Sequence, residues 1–152
     1  MIAFKTKIGL ALGGGAAKGI AHVGVLKALQ DAKVDIDFIA GTSAGAIAAA
    51  LYAFRLELET MDQLARGLTF SKVTNCKLYK TGFFSTDSLK QLLLEQMGPV
   101  NIEDASIPLA IVTTDIKTGE VVTLTRGSLA DAVCASTAIP GTYIPVSSGG
   151  RT

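Results

Sequence analysis

The chain is poor in the residues from which many catalytic and metal sites are built. Its 152 residues include one histidine, His22, and two cysteines, Cys76 and Cys134. The two thiols match no metal-knuckle spacing, so no metal is expected, and both read as reduced cysteines of a cytoplasmic protein. A net charge of +1 and the lack of any basic run exclude recognition of nucleic acid by charge. The opening residues, "MIAFKTKIGLAL", hold no apolar core ahead of a small-residue cleavage site, so no signal peptide is expected. The longest apolar stretch, Ala44 to Phe54, is well short of the roughly 20 residues that span a bilayer, and it reads as a buried helix. These absences point to a cytoplasmic location, with peripheral contact at a membrane surface still open to the protein.

Apolar residues are plentiful. They make up 49% of the chain, and mean hydropathy is +0.43. Elements should therefore be apolar on more than one face, which favours a mostly parallel sheet with helices on both faces. The length suits one domain, residues 1–152. Lys7 to Leu12 reads as a strand, Ala16 to Ala32 as a helix, and "VDIDFIAG" as a second strand ending near Ala40. Helices follow at Ser43 to Phe54 and Thr60 to Leu68. Residues 69–85 have no clear period and read as irregular. Ser85 or Thr86 caps a helix through Met97, which Gly98-Pro99 stops. "IPLAIVTTDI" and "EVVTLTR" form strands around the turn residues Lys117, Thr118 and Gly119. Ser128 to Thr137 is a last helix with a serine cap. This order is that of an α/β fold with an antiparallel hairpin added.

Two glycine-rich stretches carry the chemistry. "GTSAG" places Ser43 between Gly41 and Gly45, after a strand and before a helix, which is the context of a nucleophile elbow. Small residues two before and two after the serine let strand and helix approach, and the helix N-terminus favours negative charge developing at Ser43. The simpler alternative is that Ser43 only caps the helix. The second stretch, "GGGAAKG", fails the Walker A pattern and misses the dinucleotide pattern by one place. What remains is a turn at a helix N-terminus whose amides can bind an anion. Gly14 and Gly15 are the candidate oxyanion donors within a loop of Gly13, Gly14, Gly15 and Ala16, and Gly19 shapes its packing. A nucleophile-elbow triad has its histidine after the serine. His22 precedes Ser43 and reads as structural.

"LALGGGAAKGIAHVGVLKAL", "GTSAG", "STDSLKQLL", "TTDIKTGEVV" and "ASTAIPGTYIPV", in this order along nearly the whole chain, resemble the patatin-like phospholipases, especially bacterial ones. The resemblance implies a Ser-Asp acyl hydrolase of lipid esters, without cofactor, in which Ser43 is the nucleophile and Gly13 to Gly15 form the oxyanion loop. Many members have glycine where Ala16 stands. The family's catalytic aspartate lies in an Asp-Gly motif, and this chain contains no Asp-Gly pair. The chain is therefore expected to be the N-terminal part of the domain, nearly inactive alone, and prone to self-association through the cut edge. Asp115, beside the hairpin turn, and Asp131, in the first turn of a helix, read as structural. Two alternatives stand beside the hydrolase: a catalytically dead regulatory or interaction domain, and a nucleotide- or phosphate-binding module built on the glycine loop.

Overall fold

The computed structural model describes residues 6–67 and 86–146. In chain order its elements are β1 (Gly9–Leu12), a 3-10 turn (Ala16–Ile20), α1 (Ala21–Asp31), β2 (Phe38–Thr42), α2 (Ala44–Ala53) and α3 (Leu58–Gly67). These are followed by α4 (Asp87–Met97), a second 3-10 turn (Ile102–Asp104), β3 (Leu109–Thr114), β4 (Val121–Leu124) and α5 (Leu129–Thr137). The strands form one sheet in the order β1-β2-β3-β4. The first three are parallel, and β4 closes a hairpin against β3, with Thr114 opposite Val121. This is the α/β fold with a mostly parallel sheet that the sequence implies.

Register decides where the core sits. Leu12, Gly41 and Ile111 lie side by side across β1, β2 and β3. Leu12 and Ile111 are buried, as is Ile39 two residues before Gly41. Helix α2 packs across all three strands here, and α5 packs on β3 and α2. The parallel strands are laid down in one direction, so right-handed crossovers bring their helices to the same face. Cover is heaviest there. The opposite face carries Ala11, Ala40 and Ala110, which are exposed or half-buried.

Several boundaries differ from the periodicity. The helix expected from Ala16 divides into the 3-10 turn and α1, which begins at Ala21. Ala16 itself has φ +46°, a left-handed conformation that cannot lie inside an α-helix, so no α-helix can begin there. This also gives a reason for glycine to suit the position. Helix α3 begins at Leu58, ahead of the expected Thr60. The irregular stretch 69–85, including Ser85, lies outside the described residues. Thr86 holds the N-cap position of α4 without a side-chain capping bond, whereas Ser128 caps α5 by accepting the Asp131 N–H at 3.3 Å.

The tightest constraint is the crossing of α2 over the sheet. Its alanines, including Ala46, Ala49, Ala50 and Ala53, are fully buried and let the helix sit close to the strands. A Cβ on Gly41 would overlap the Gly45 carbonyl and come within 2.6 Å of Ala46 Cα. A Cβ on Gly45 would overlap the Leu12 carbonyl oxygen and meet that of Gly13 at 2.6 Å. Backbone cannot move aside as a flexible side chain can. Gly45→Ala is therefore expected to lower stability by about 3 kcal/mol, the upper end of ordinary overpacking costs. Gly24→Ala is the contrast: Gly24 lies in α1 with nothing within 4 Å of its would-be Cβ, so helix propensity should raise stability by up to about 1 kcal/mol. Urea denaturation of both variants reads the opposite signs.

Candidate active site

Ser43 sits where β2 ends and α2 begins. Its φ of 53° and ψ of −120° lie outside the regular regions, a strained conformation for a residue with a Cβ. It occupies the N-cap position of α2, but its hydroxyl makes no capping hydrogen bond. The simple capping alternative is thus not how the side chain is used here. The side chain is half-buried, and the N-terminal end of the α2 dipole lies at its backbone. The Ser43 N–H donates to Ser136 Oγ at 2.8 Å, and Ser136 Oγ–H donates to the Val112 carbonyl at 2.6 Å.

The glycine loop runs beside this serine. A Cβ placed on Gly14 would stand 3.5 Å from Ser43 Cβ, an ordinary van der Waals contact. Gly13 to Ala16 are exposed, and within the described residues no backbone hydrogen bond uses the N–H of Gly14 or Gly15. The Gly15 carbonyl accepts the Lys18 N–H at 2.9 Å, which closes the turn. His22 Nε2–H donates to the Gly13 carbonyl at 2.8 Å. The carbonyl of Gly13 and the N–H of Gly14 belong to one planar trans peptide and point in opposite directions. By holding the carbonyl, His22 fixes the direction of the Gly14 N–H. The histidine is structural, as its place in the sequence implies, and what it supports is the loop. Gly19 lies so close to Ala44 that a Cβ there would overlap the Ala44 Cβ, which joins the loop's 3-10 turn to the start of α2.

Below Ser43 is a cavity of about 160 Å³. Ser43, Ile47, Ala48 and Leu51 line it from α2, with Met61 and Leu64 facing them from α3. The spacing of four, one and three residues keeps the α2 members on one helical face. Tyr143 also lines it; it is buried, and burial raises its phenol pKa. No Asp, Glu, His, Lys or Arg among the described residues lines this cavity.

The aspartates weighed from the sequence are committed elsewhere. Asp115 Oδ1 accepts the Lys117 N–H at 2.9 Å, and its backbone closes the hairpin with Glu120 and Gly119. Asp131 accepts an ion pair from Lys90 Nζ at 2.7 Å. The hydrogen bond from Lys90 holds the Asp131 carboxyl below its ordinary range and raises the Lys90 ammonium. Cys134 is buried, and desolvation pushes its thiol up to about 11, which makes it inert. Among the described residues there is no group of three or more His, Cys, Asp or Glu side chains that could hold a metal, and no helix long and apolar enough to cross a membrane. Sequence reasoning did not single out Ser136. Its partners lie 93 and 24 residues away, so no local pattern could mark it.

Comparison with known proteins adds the family. The model described as patatin-like phospholipase matches residues 10–152. The neuropathy target esterase sws of Drosophila persimilis is 38% identical over 144 residues, which cover 91% of this chain and 10% of that protein. An NTE family protein of Mycobacterium tuberculosis is 35% identical over 148 residues, 95% of this chain and 41% of the relative. The chain thus spans less than half the length of these relatives. Among solved structures, VipD from Legionella pneumophila superposes with a TM-score of 0.74 at 17% identity, over 97% of this chain and 45% of VipD. Full-length ExoU from Pseudomonas aeruginosa, solved in complex with SpcU, gives 0.66 at 19% identity, over 88% of this chain and 38% of ExoU. At these identities the structures speak to fold.

The structural assignment of the two aspartates is testable. Asp115→Asn keeps the Oδ1 acceptor of the turn, so stability should change little. Asp131→Asn removes an exposed ion pair, and the loss should be at most about 1 kcal/mol. The Asp131 pKa is lowered on folding, so the pair contributes fully above the unfolded carboxylate pKa of about 3.9. That contribution is lost as pH falls through the lower folded value. Urea midpoints of wild type and Asp131→Asn should therefore differ at pH 7 and converge in acid. A difference that persists at the most acidic pH would remove the ion pair as its cause.

Proposed function

The chain belongs to the patatin-like phospholipase family, and from that premise we propose that it carries the nucleophile, oxyanion loop and acyl cavity of a serine acyl hydrolase acting on lipid carboxylesters, such as phospholipids or lysophospholipids. Ser43 Oγ attacks the ester carbonyl, the C–O bond to the alcohol breaks as that alcohol takes up a proton, and water then releases the fatty acid from the acyl-enzyme. The N–H groups of Gly14 and Gly15, with Ala16 next to them, hold the oxyanion. No cofactor takes part. Binding at a membrane surface, where such substrates lie, is part of the same reading.

The observation that carries the proposal is the apolar cavity running along α2 from Ser43. From Ser43 to Leu51 is eight residues, about 12 Å of helix. With C–C bonds of about 1.5 Å at near-tetrahedral angles, that is the extended length of roughly ten carbons. A phosphate or nucleotide would find no cationic side chain in this lining, which speaks against the phosphate-binding module.

The general base is proposed to be an aspartate outside these 152 residues, which would then be the N-terminal part of one acyl hydrolase domain. Supporting this are the lack of an Asp-Gly pair, the cavity lining without a carboxylate, and the 41% span of the mycobacterial relative. Loss of the acid partner in serine triads lowers kcat roughly 10⁴-fold, and a comparable deficit is expected of this chain taken alone. The same missing carboxylate favours the second reading, a regulatory domain without turnover.

Alkyl fluorophosphonates test the proposal by direct attack of Ser43 Oγ on phosphorus, slowly in this chain because the base that activates the serine lies outside it. They should label Ser43, and Ser43→Ala should abolish the adduct found by mass spectrometry. The labelling rate should rise with alkyl length and level off near ten carbons, in line with the helix length above. Ala48→Leu, which narrows the cavity midway, should move the plateau to shorter chains. Labelling that survives Ser43→Ala would refute the nucleophile. Labelling indifferent to alkyl length would refute the acyl cavity and leave the regulatory reading.

A further inference from the structure

We propose that Ser136 is a positioning residue that holds the nucleophile in its strained conformation by replacing the last rung of the β2–β3 ladder. The proposal rests on Ser43 being the nucleophile, and its supporting geometry lies in the sheet register.

In the parallel pair of β2 and β3, Ile39 stands opposite Leu109, and the Ile39 N–H donates to the Pro108 carbonyl at 3.0 Å. Rungs of one sense in a parallel ladder recur every two residues. The next falls from Gly41 to Ala110, and the one after it would run from the Ser43 N–H to the Val112 carbonyl. That last rung is not made directly. The Ser136 hydroxyl, carried by α5, stands between the two groups, accepting from Ser43 N–H at 2.8 Å and donating to Val112 O at 2.6 Å. A hydroxyl is suited to this because it is donor and acceptor at once.

The inserted oxygen separates two strands that would otherwise stay paired. With the rung closed directly, Ser43 would continue β2 in extended conformation with negative φ, and its side chain would project from the sheet. With the rung opened and left unfilled, a half-buried N–H and a carbonyl would both lose their partners, an arrangement proteins avoid. The bridge lets the chain leave the sheet one residue early, at φ 53°, with both groups satisfied. It also ties three elements to the serine: β2 through Ser43 itself, β3 through Val112 and α5 through Ser136.

Replacing Ser136 by Ala should let Ser43 relax towards the direct rung and displace its Oγ. A displacement of about 1 Å at a reacting group costs on the order of 10²-fold in rate. The experiment is the kinetics of Ser43 labelling by a decyl fluorophosphonate. Ser136→Ala should lower kinact about 10²-fold, in keeping with such a displacement, while KI, set by the apolar cavity, stays within about twofold. Ser136→Cys, nearly the same size but a weaker hydrogen-bonding group, should fall between Ala and wild type. Asp131→Asn, on the same helix and outside the site, should leave kinact unchanged. Independently of any reaction, the Ser43 amide should be protected from hydrogen exchange in wild type and change its ¹⁵N–¹H shift in Ser136→Ala and Ser136→Cys. A folded Ser136→Ala protein that labels at the wild-type kinact overturns the proposal. If Ser136→Ala does not fold, wild-type kinact in Ser136→Cys overturns it equally. Should Ser43 fail to label even in a longer chain that supplies the proposed aspartate, the nucleophile reading fails, while the amide measurements still decide whether Ser136 holds the elbow.

Discussion

The close crossing of α2 over β1 and β2 is the constraint on which the rest of the structure depends. Two glycines make it possible. Gly41 gives its side-chain space to the backbone of Gly45 and Ala46, and Gly45 gives its own to the carbonyls of Leu12 and Gly13. Because the contacts are backbone against backbone, the geometry has almost no latitude. It fixes the start of α2 against the ends of two strands, and so fixes both Ser43 and the glycine loop that follows β1. The alanines along α2 extend the close fit across β3, while Ile47 and Leu51 remain to line the cavity. One helix thereby covers the sheet, directs its dipole at the serine and walls the space beneath it.

A strained residue persists only if its surroundings over-determine it. At Ser43 they do so from several directions. The N–H is held by Ser136, the carbonyl accepts the first α2 bonds from Ala46 and Ile47, and the glycines on either side admit no other packing. The neighbouring loop is held in a similar way, with His22 on the Gly13 carbonyl and Gly19 against Ala44. These supports come from α5 and from the adjoining 3-10 turn and α1, two regions about a hundred residues apart in sequence. Rigid secondary structure thus sets groups whose own backbones are irregular, the arrangement that preorganised chemistry requires.

The sequence made the fold largely legible because its signals were local. Short apolar runs and turn residues located the strands, and the hairpin lies where Gly119 permits φ +75°. The pairing of Gly41 and Gly45 about Ser43 declared a strand-to-helix crossing in the residue types alone. The 3-10 turn was not legible, because Ala16 to Ile20 run straight into α1 and the left-handed φ at Ala16 falls on a residue type that favours helix. Nor was the role of His22 legible: triad order showed what it does not do, while its bond to Gly13 depends on how loop and helix fold back together. Ser136 is the extreme case. It looks like any small residue near the end of a helix, and its meaning arises only where β2, β3 and α5 converge.

Asp115 and Asp131 are already committed, and that limits the chemistry they can do. A serine hydroxyl is a weak nucleophile until a base takes its proton. A base must come within hydrogen-bonding reach, directly or through one water. Asp115 shapes a hairpin turn and is nearly buried in doing so. Asp131 is held in its ionised form by Lys90, which also lowers its basicity. Neither lines the Ser43 cavity. Using either as a base would require breaking a satisfied arrangement before the reaction began. Under the proposed reading, the described residues supply the parts that position and stabilise, namely the elbow, the loop amides and the apolar wall. The proton acceptor is a separate requirement, and these two carboxylates are too well satisfied to meet it.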